Sequence, residues 1–214
     1  MLSGGVVTSS IAFTCAAILA LQGVSEAKIT VDAGTTTANT FQSEYFHFTY
    51  QFPIGWFVLP DAERVEENRR RYDITDKMSV PREPGVGVMT KVVATPYDLL
   101  IASSHAVGSS YTRQMPRINV VAIRRTEMMN NAEDPARFIS LRMGSEVKKL
   151  KGPEKVLIGG RKFVRTDFEA TGEYLSIFAT EIGDHILEWD LRAANEKEFL
   201  ELIDSMQTLQ FSKH

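Results

Sequence analysis

The stretch 162–192 constrains the fold most, because it holds three alternating apolar-polar runs joined by short turns that contain glycine. The runs are 162–170, 174–182 and 186–192, separated by Thr171-Gly172 and Gly183-Asp184. Two-residue glycine turns between alternating runs are typical of β-hairpins. We therefore predict an antiparallel meander whose last strand places three apolar side chains on one face: Leu187, Trp189 and Leu191.

A helix is predicted directly after the meander. Asn195 followed three positions later by Glu198 is typical of the start of a helix. Apolar residues then recur at helical spacing, which favours one buried helix face. These residues are Phe199, Leu202, Ile203, Met206 and Leu209.

The segment before the meander mixes predicted strands and helices. Aromatic residues at 46, 48, 50 and 52 alternate with polar ones and indicate a half-buried strand, followed by a turn at Pro53-Ile54-Gly55 and extended structure over 56–59. Further predicted strands are 86–94 and 119–126, and predicted helices are 62–71, capped by Asp61, and a short one over 99–101. Asp134-Pro135 predicts another helix start, with Phe138, Ile139, Met143, Val147 and Leu150 on its buried face and Gly152-Pro153 as its end.

Together these elements predict one α+β domain over 45–214, with an antiparallel sheet covered by helices. A short strand, 156–158, and the Gly159-Gly160 turn precede the meander. The polar, Thr-rich segment 28–44 is interpreted as a linker. No internal repeat and no second domain are predicted.

The N-terminal segment resembles an export signal. Residues 11–21 form an uncharged apolar run, and Ser25 and Ala27 are the small residues expected before a cleavage site at Lys28. A run of about 11 residues is shorter than the roughly 20 needed to cross a bilayer. No Lys or Arg precedes the run, so an uncleaved anchor over 6–24 stays open as the alternative. A lipoprotein signal at Cys15 fits less well, because the apolar run continues past the cysteine.

Charge and cysteine content exclude several functions. Cys15 is the only cysteine, so a chain cleaved before Lys28 has no disulfide, thiolate nucleophile or Cys-ligated metal. That cleaved chain carries 24 Lys and Arg against 26 Asp and Glu, since Glu26 is lost. Such near-neutrality gives no reason to expect nucleic acid or an anionic membrane surface as a partner.

Some segments resemble PsbP-like domains and their Mog1 and DcrB relatives. The opening 45–59, YFHFTYQFPIGWFVL, is similar to their aromatic strand, Pro and Gly-Trp sequence, and the distinctive cluster here is Pro53, Gly55 and Trp56. Ile158-Gly159-Gly160, three hairpin-linked strands and a helix ending near Phe211 follow in a similar order. The resemblance covers about 45–211 and implies an α/β/α sandwich around a central antiparallel sheet. It also implies a non-enzymatic accessory or binding role at the lumenal or periplasmic side of a membrane.

Catalytic and metal-binding patterns are weak. Ser103-Ser104-His105 places a hydroxyl beside an imidazole, but no G-x-S-x-G motif is present and a polar loop explains the pattern better. The four histidines, 47, 105, 185 and 214, are scattered. His47, on a polar strand face, or His185, in a turn, could join Glu188 or Asp190 in a weak metal site, but solvated residues are the preferred interpretation.

Other conspicuous residues have structural explanations. The EENRRR segment, 66–71, is predicted to be a solvated helix face, although it could present arginines to an acidic partner or phosphate. Gly85 and Gly87, like Gly159-Gly160, lack the lysine or following helix of a phosphate loop. Trp56 and Trp189 are predicted core residues, and four methionines are predicted to fill the core: Met115, Met128, Met129 and Met143.

The sequence therefore predicts an exported, extracytoplasmic, non-catalytic module that binds a protein, a membrane complex or a small ligand. It predicts no catalytic residue, no metal and no cofactor. The alternative is an exported hydrolase-like enzyme with its site in 96–117, which contains Asp98 and His105. These two hypotheses differ in whether Asp98, His105 and a serine meet in one pocket.

Overall fold

The computed structural model describes residues 31, 34–78, 96–106, 115–143, 147–170 and 172–212. Several predictions fall outside them: the export segment, the strand 86–94 with Gly85 and Gly87, and His214. The chain is mixed α+β, with two antiparallel sheets and three helices in the described part.

The larger sheet has seven strands in the order β4-β5-β6-β10-β9-β8-β7. Its strands are β4 Phe57–Val58, β5 Pro96–Ser103, β6 Arg117–Arg124, β7 Val147–Ile158, β8 Arg161–Ala170, β9 Glu173–Ile182 and β10 His185–Ala193. All of its neighbouring strands are antiparallel. The predicted meander is confirmed as β8, β9 and β10. Its glycine turns and its apolar alternation both favour strands that are joined as hairpins.

The smaller sheet has four strands in the order β1-β2-β3-β11. Its strands are β1 Thr35–Thr37, β2 Thr40–Ser43, β3 Phe48–Gln51 and β11 Gln210–Phe211. The linker prediction is therefore wrong for the part of 28–44 that forms β1 and β2. Threonine favours strands, and Phe41 of β2 is fully buried, but strands this short carry too little periodicity to be recognised.

The helices are α1 Asp61–Met78, α2 Asp134–Met143 and α3 Glu196–Ser205, and a short 3₁₀ turn, Met206–Thr208, follows α3. The predicted start of α3 is confirmed, since the Asn195 side chain accepts a hydrogen bond from the Glu198 N–H at 3.0 Å. The start of α2 at Asp134 is also confirmed.

Two helix predictions are wrong. The predicted helix 134–150 ends at Met143, and the chain from Val147 pairs with β8 as strand β7. Gly152 and Pro153 therefore lie inside an edge strand, where proline is tolerated, at the second of its two register shifts. Phe138 and Leu150 are consequently exposed rather than buried.

The predicted short helix over 99–101 is a strand, β5. Leu99, Leu100 and Ile101 are all buried, and a short apolar run does not distinguish a buried strand from a buried helix.

One face of the large sheet, called here the packed face, forms the main core. Trp189 of β10 is fully buried there and its ring centroid lies 5.2 Å from that of Phe48 of the small sheet and 5.6 Å from that of Phe163. Phe199 and Leu202 of α3 join the same cluster. The predicted core role of Trp189 and the buried face of α3 are confirmed, while Trp56 is only half-buried against this core.

The opposite face of the large sheet, called here the α1 face, carries α2, and α1 lies against strand β5 beside it. Ala136 of α2 packs against Phe168, Leu175 and Ile177. The sequence did not predict the small sheet, because its strands are short and two of them, β1 and β2, come from the supposed linker. The residues on the α1 face position the candidate site.

Candidate functional site

The candidate site is a cleft of about 790 Å³ between α1 and strands β5 and β6. We call it the α1 cleft. Three of its lining residues are apolar and seven are polar. They are Leu59, Ala62, Glu63, Glu66, Glu67, Arg70, Asp98, Ile101, Arg117 and Asn119. Ligand-binding pockets commonly enclose about 300–1,000 Å³, so the α1 cleft has a suitable size.

Asn68 attaches α1 to the sheet beside this cleft. Its side-chain amide donates to the Asp98 carbonyl at 2.9 Å, and its amide oxygen accepts from the Asp98 N–H at 2.9 Å. Asp98 lies at a register shift between β5 and β6. Because Asn68 is almost completely buried, this pair of bonds holds the helix at one position along β5.

Arg64 makes the second attachment, one helical turn earlier. Its guanidinium is fully buried, donates to the Asp61 carboxylate at 2.8 Å and to the Gly34 carbonyl at 3.5 Å. It also lies 5.6 Å from the centre of the Phe41 ring. The inner side of α1 is therefore polar, which explains why its sequence lacks the apolar stripe of a packed helix.

The floor of the cleft comes from β5 and β6, and β10 is the next strand of the sheet beside β6. Glu188, Asp190 and Arg192 occupy alternate positions of β10, and we call them the charged row. Asp190 pairs with Asn119, and Arg192 pairs with Arg117. Directly opposite residues in antiparallel strands have Cβ atoms about 5 Å apart. The charged row therefore borders two residues that line the cleft.

Asp190 and Arg192 form a closely paired unit within this row. The Arg192 Nε and a terminal nitrogen each donate to one Asp190 oxygen, both at 2.8 Å, and Glu173 lies 3.7 Å away. Burial would lower the pKa of Arg192, but the Asp190 hydrogen bonds and the nearby carboxylates outweigh it and raise that pKa above its ordinary value. Arg192 is therefore a permanent cation at this site.

Glu188 is the other unusual group in the row. Burial, reinforced by the negative charges of Asp190 and Asp98, raises its pKa from 4.5 to about 8, although Arg192 opposes the shift. At pH 7 the Glu188 carboxyl is therefore mostly protonated. A neutral carboxylic acid can donate a hydrogen bond, which an ordinary surface glutamate cannot do at this pH.

Among the described residues, Asp98 and His105 of the hydrolase hypothesis are not brought together, while 107–114 of its segment, with Ser109 and Ser110, lie outside the described residues. Ser104 Oγ lies 2.8 Å from His105 Nδ1 in an exposed loop, and Ser103 Oγ donates to the His105 carbonyl. Asp98 lies five residues before Ser103 on β5, which at about 3.3 Å per residue separates them by roughly 16 Å. Asp98 lines the α1 cleft, whereas His105 lies beyond the far end of the strand.

The structure corrects the interpretation of two histidines. His185 is not a solvated turn residue: it begins β10, is buried, and packs 5.4 Å from the Phe46 ring centre. Its Nδ1 lies 2.7 Å from an Asp184 carboxylate oxygen. His47 lies in the turn before β3 with a positive φ of 54° and not on a strand face. Because β10 side chains alternate, His185 and Glu188 lie on opposite faces.

No metal cluster of three His, Cys, Asp or Glu side chains is present within the described ranges.

The prediction that the EENRRR segment is a solvated helix face holds for Arg69 and Arg70, which are exposed. Arg69 and Arg70 both pair with Glu66, at 2.8 and 3.3 Å, and these contacts lower the pKa of Glu66. Glu66 and Arg70 also line the α1 cleft. The prediction is wrong for Asn68, which faces the sheet. The only sequence signal that Arg64 and Asn68 attach α1 is their spacing, because residues four positions apart lie on one side of a helix.

The charged row was also missed as a unit. From the sequence, Glu188 and Asp190 are predicted only as partners of a histidine in a weak metal site, and no role is predicted for Arg192. The available signal was three charged residues at alternate positions in a strand whose other positions are apolar: Glu188, Asp190 and Arg192.

Among the helices that the structure describes, none is both long enough and apolar enough to cross a membrane.

No protein-family model and no curated protein matches this chain. Solved structures that are similar to it include the following two, both at low identity. Cyanobacterial PsbP (CyanoP) from Synechocystis sp. PCC 6803 is 10% identical with a TM-score of 0.44, over 84% of this chain and 96% of that chain. LpqN, described as involved in cell envelope biogenesis of Mycobacterium tuberculosis, is 11% identical with a TM-score of 0.37, over 78% and 83%. The first is a PsbP protein, the family that the sequence resembles. With both TM-scores below 0.5, neither likeness carries a function to this chain.

Proposed function

We propose that this chain is an exported, non-catalytic binding module and that the α1 cleft holds a small polar ligand. The observation that carries the proposal is the cleft itself, which holds about 790 Å³. Its helix wall is fixed to β5 by the buried Asn68 and contacts Gly34 and Phe41 through the buried Arg64. A preformed recess with a few converging polar groups is the usual form of a small-ligand site.

The lining favours a polar ligand. Carboxylates and guanidinium groups line the cleft together with the Asn119 amide, while only Leu59, Ala62 and Ile101 are apolar. Asn119 Oδ1 is buried and accepts no hydrogen bond from any described residue. Because an unpaired buried acceptor costs about 1–3 kcal/mol, a ligand that donates a hydrogen bond to Asn119 would relieve that cost.

The non-catalytic part of the proposal rests on the separation of Asp98 from Ser103 and His105. One observation favours the alternative, an exported enzyme: Glu188 has a pKa of about 8 beside the cleft. Perturbed pKa values are common in groups that move protons during catalysis. If the ligand is turned over, Glu188→Gln abolishes turnover while leaving ligand affinity largely intact. If it is not turned over, the protein is a binding module.

Export places this module outside the cytoplasm, with cleavage before Lys28 and a retained anchor as the alternative. The intact mass of protein isolated from its native source distinguishes the two, since a cleaved chain begins at Lys28. The partner is a protein or membrane complex on the extracytoplasmic side. The proposal includes the layered α/β/α sandwich that the family resemblance implies, with α3 on one side of the large sheet and α1 and α2 on the other.

Obstruction of the cleft tests the proposal. Ala62 lines the cleft from α1, so Ala62→Trp places a large ring in the binding space. Val65→Trp is the matched control, because Val65 is on the same helix, is 44% exposed and does not line the cleft. Native mass spectrometry of protein expressed in its native host is expected to show a small noncovalent adduct on the wild type and on Val65→Trp, and none on Ala62→Trp. An adduct retained by Ala62→Trp would contradict the proposal.

A further inference from the structure

Strand β7 ends the large sheet, and no described strand pairs with its outer edge. Along an edge strand, alternate N–H and C=O groups point away from the neighbouring strand and are free to pair with another chain. The first part of β7 is irregular, with two register shifts between Lys149 and Glu154. From Glu154 to Ile158 the pairing with β8 is regular, so this part offers a straight edge of five residues.

The side chains beside this straight edge are basic and apolar. Lys155 is exposed, and Leu157, two positions on, is 69% exposed on the same face. Lys162 of β8 is exposed directly opposite Leu157. Neither Lys155 nor Lys162 forms a salt bridge with any residue in the described part of the chain. By contrast, Lys151 is paired with Glu154 at 2.7 Å, which neutralises the one acidic side chain of the edge.

We propose that the outer edge of β7 over 154–158 accepts an extended segment of a partner protein that carries acidic residues at alternate positions. Backbone hydrogen bonds to the edge supply the affinity in this mode of recognition, and alternate side chains supply the selectivity. Acidic side chains on one face of the added strand pair with Lys155 and, across Leu157, with Lys162. This surface is separate from the α1 cleft.

A second copy of this chain is a poorer occupant. Lysines on an edge strand oppose pairing with an identical strand, because like charges would be brought together. An anionic membrane surface would pair with the charges of the lysines but would leave the outward-pointing backbone N–H and C=O groups without hydrogen bonds. Membrane binding is therefore the alternative that the test must distinguish from strand addition.

The test uses the mature chain and a fluorescent eight-residue peptide of alternating Glu and Val. A peptide of alternating Glu and Pro is the first control, since it carries the same charge but its prolines fix φ near −65° and hold it in a polyproline II conformation instead of a β-strand. We expect the Glu-Val peptide to bind in a fluorescence anisotropy titration, and the Glu-Pro peptide to bind at least about tenfold more weakly. Equal binding of the two peptides would overturn strand addition, and so would no binding of either.

Charge-reversal variants locate the site. Lys155→Glu is expected to weaken Glu-Val binding about five- to tenfold, because one favourable pair becomes a like-charge contact. Lys197→Glu on α3 is the matched control, as Lys197 is 86% exposed and remote in sequence, and it should change binding by less than about twofold. Equal losses in the two variants would overturn the location. Phosphatidylglycerol vesicles are the second control. If they bind as tightly as the peptide, and if Lys155→Glu weakens their binding equally, the surface is assigned to membranes instead.

Discussion

Consecutive side chains of β10 enter two different environments. Leu187, Trp189 and Leu191 are completely buried against the small sheet and α3. Glu188, Asp190 and Arg192 lie between them in sequence and point to the α1 face, beside the cleft. The same strand, with the same backbone hydrogen bonds on both sides, thus supports an aromatic core on one face and a charged row on the other.

The contrast shows which face stabilises the fold. Trp189 lies near the rings of Phe48, Tyr50 and Phe163, and the burial of such rings is a large favourable contribution to folding. Charges removed from water have a desolvation cost that their mutual attraction often only balances. We conclude that the packed face stabilises the domain more than the charged row does.

The largest expected effect is on the packed face. Trp189→Ala removes the largest fully buried side chain of the described core and should lower the free energy of unfolding by about 3–5 kcal/mol, since it leaves a cavity. Urea denaturation followed by circular dichroism measures this change. A loss below about 1 kcal/mol would mean that the packed face is not the face that stabilises the fold.

Breaking the ion pair on the α1 face should have the next largest effect. Arg192→Met leaves the buried Asp190 carboxylate without its two guanidinium hydrogen bonds and should cost about 2–4 kcal/mol in the same assay. The control is Arg70→Met, because Arg70 is 68% exposed and pairs with Glu66 at the surface, where such pairs contribute about 0–1 kcal/mol. Equal effects of the two variants would remove the distinction between a buried and a solvated pair.

The attachment of α1 should contribute less. Asn68→Ala removes two hydrogen bonds to the Asp98 backbone and should lower the free energy of unfolding by about 1–3 kcal/mol. It should also increase hydrogen exchange at the Asp98 amide, which loses its acceptor. Arg69→Ala on the outer side of α1 is expected to leave both quantities nearly unchanged. Protection of the Asp98 amide that survives Asn68→Ala would show that another contact positions the helix.

These two faces also differ in how well the sequence predicts them. The meander and α3 were predicted because alternation, glycine turns and the Asn195 cap all indicate the same elements. The charged row follows the same alternation, but the sequence does not reveal what covers that face, so Glu188 and Asp190 resembled solvated strand residues. Asn68 lies within a run of charged residues, and its burial depends on meeting Asp98, 30 positions later. The helix predicted over 134–150 failed for a related reason: pairing with β8 outweighed a local helical pattern in 147–150.

Glu188 gives the most direct measurement of whether the charged row stabilises the fold. Its pKa is about 8 in the folded chain and near 4.5 when unfolded, set by burial together with Asp190, Asp98 and the opposing Arg192. The side chains opposite it on the neighbouring strands, Val121 and Ala179, carry no charge. The folded state therefore holds a proton that the unfolded state has released, so stability falls as the pH rises from about 4.5 to about 8 and levels off above that.

The measurement is the free energy of unfolding of the wild type and of Glu188→Gln at pH 4 and at pH 9. The account predicts similar stability at pH 4, where the carboxyl is protonated in the folded state, and a variant that is more stable than the wild type by about 1–4 kcal/mol at pH 9. A wild type that is as stable as Glu188→Gln at pH 9, or more stable, would contradict it, because the Glu188 carboxylate would then be stabilising the fold.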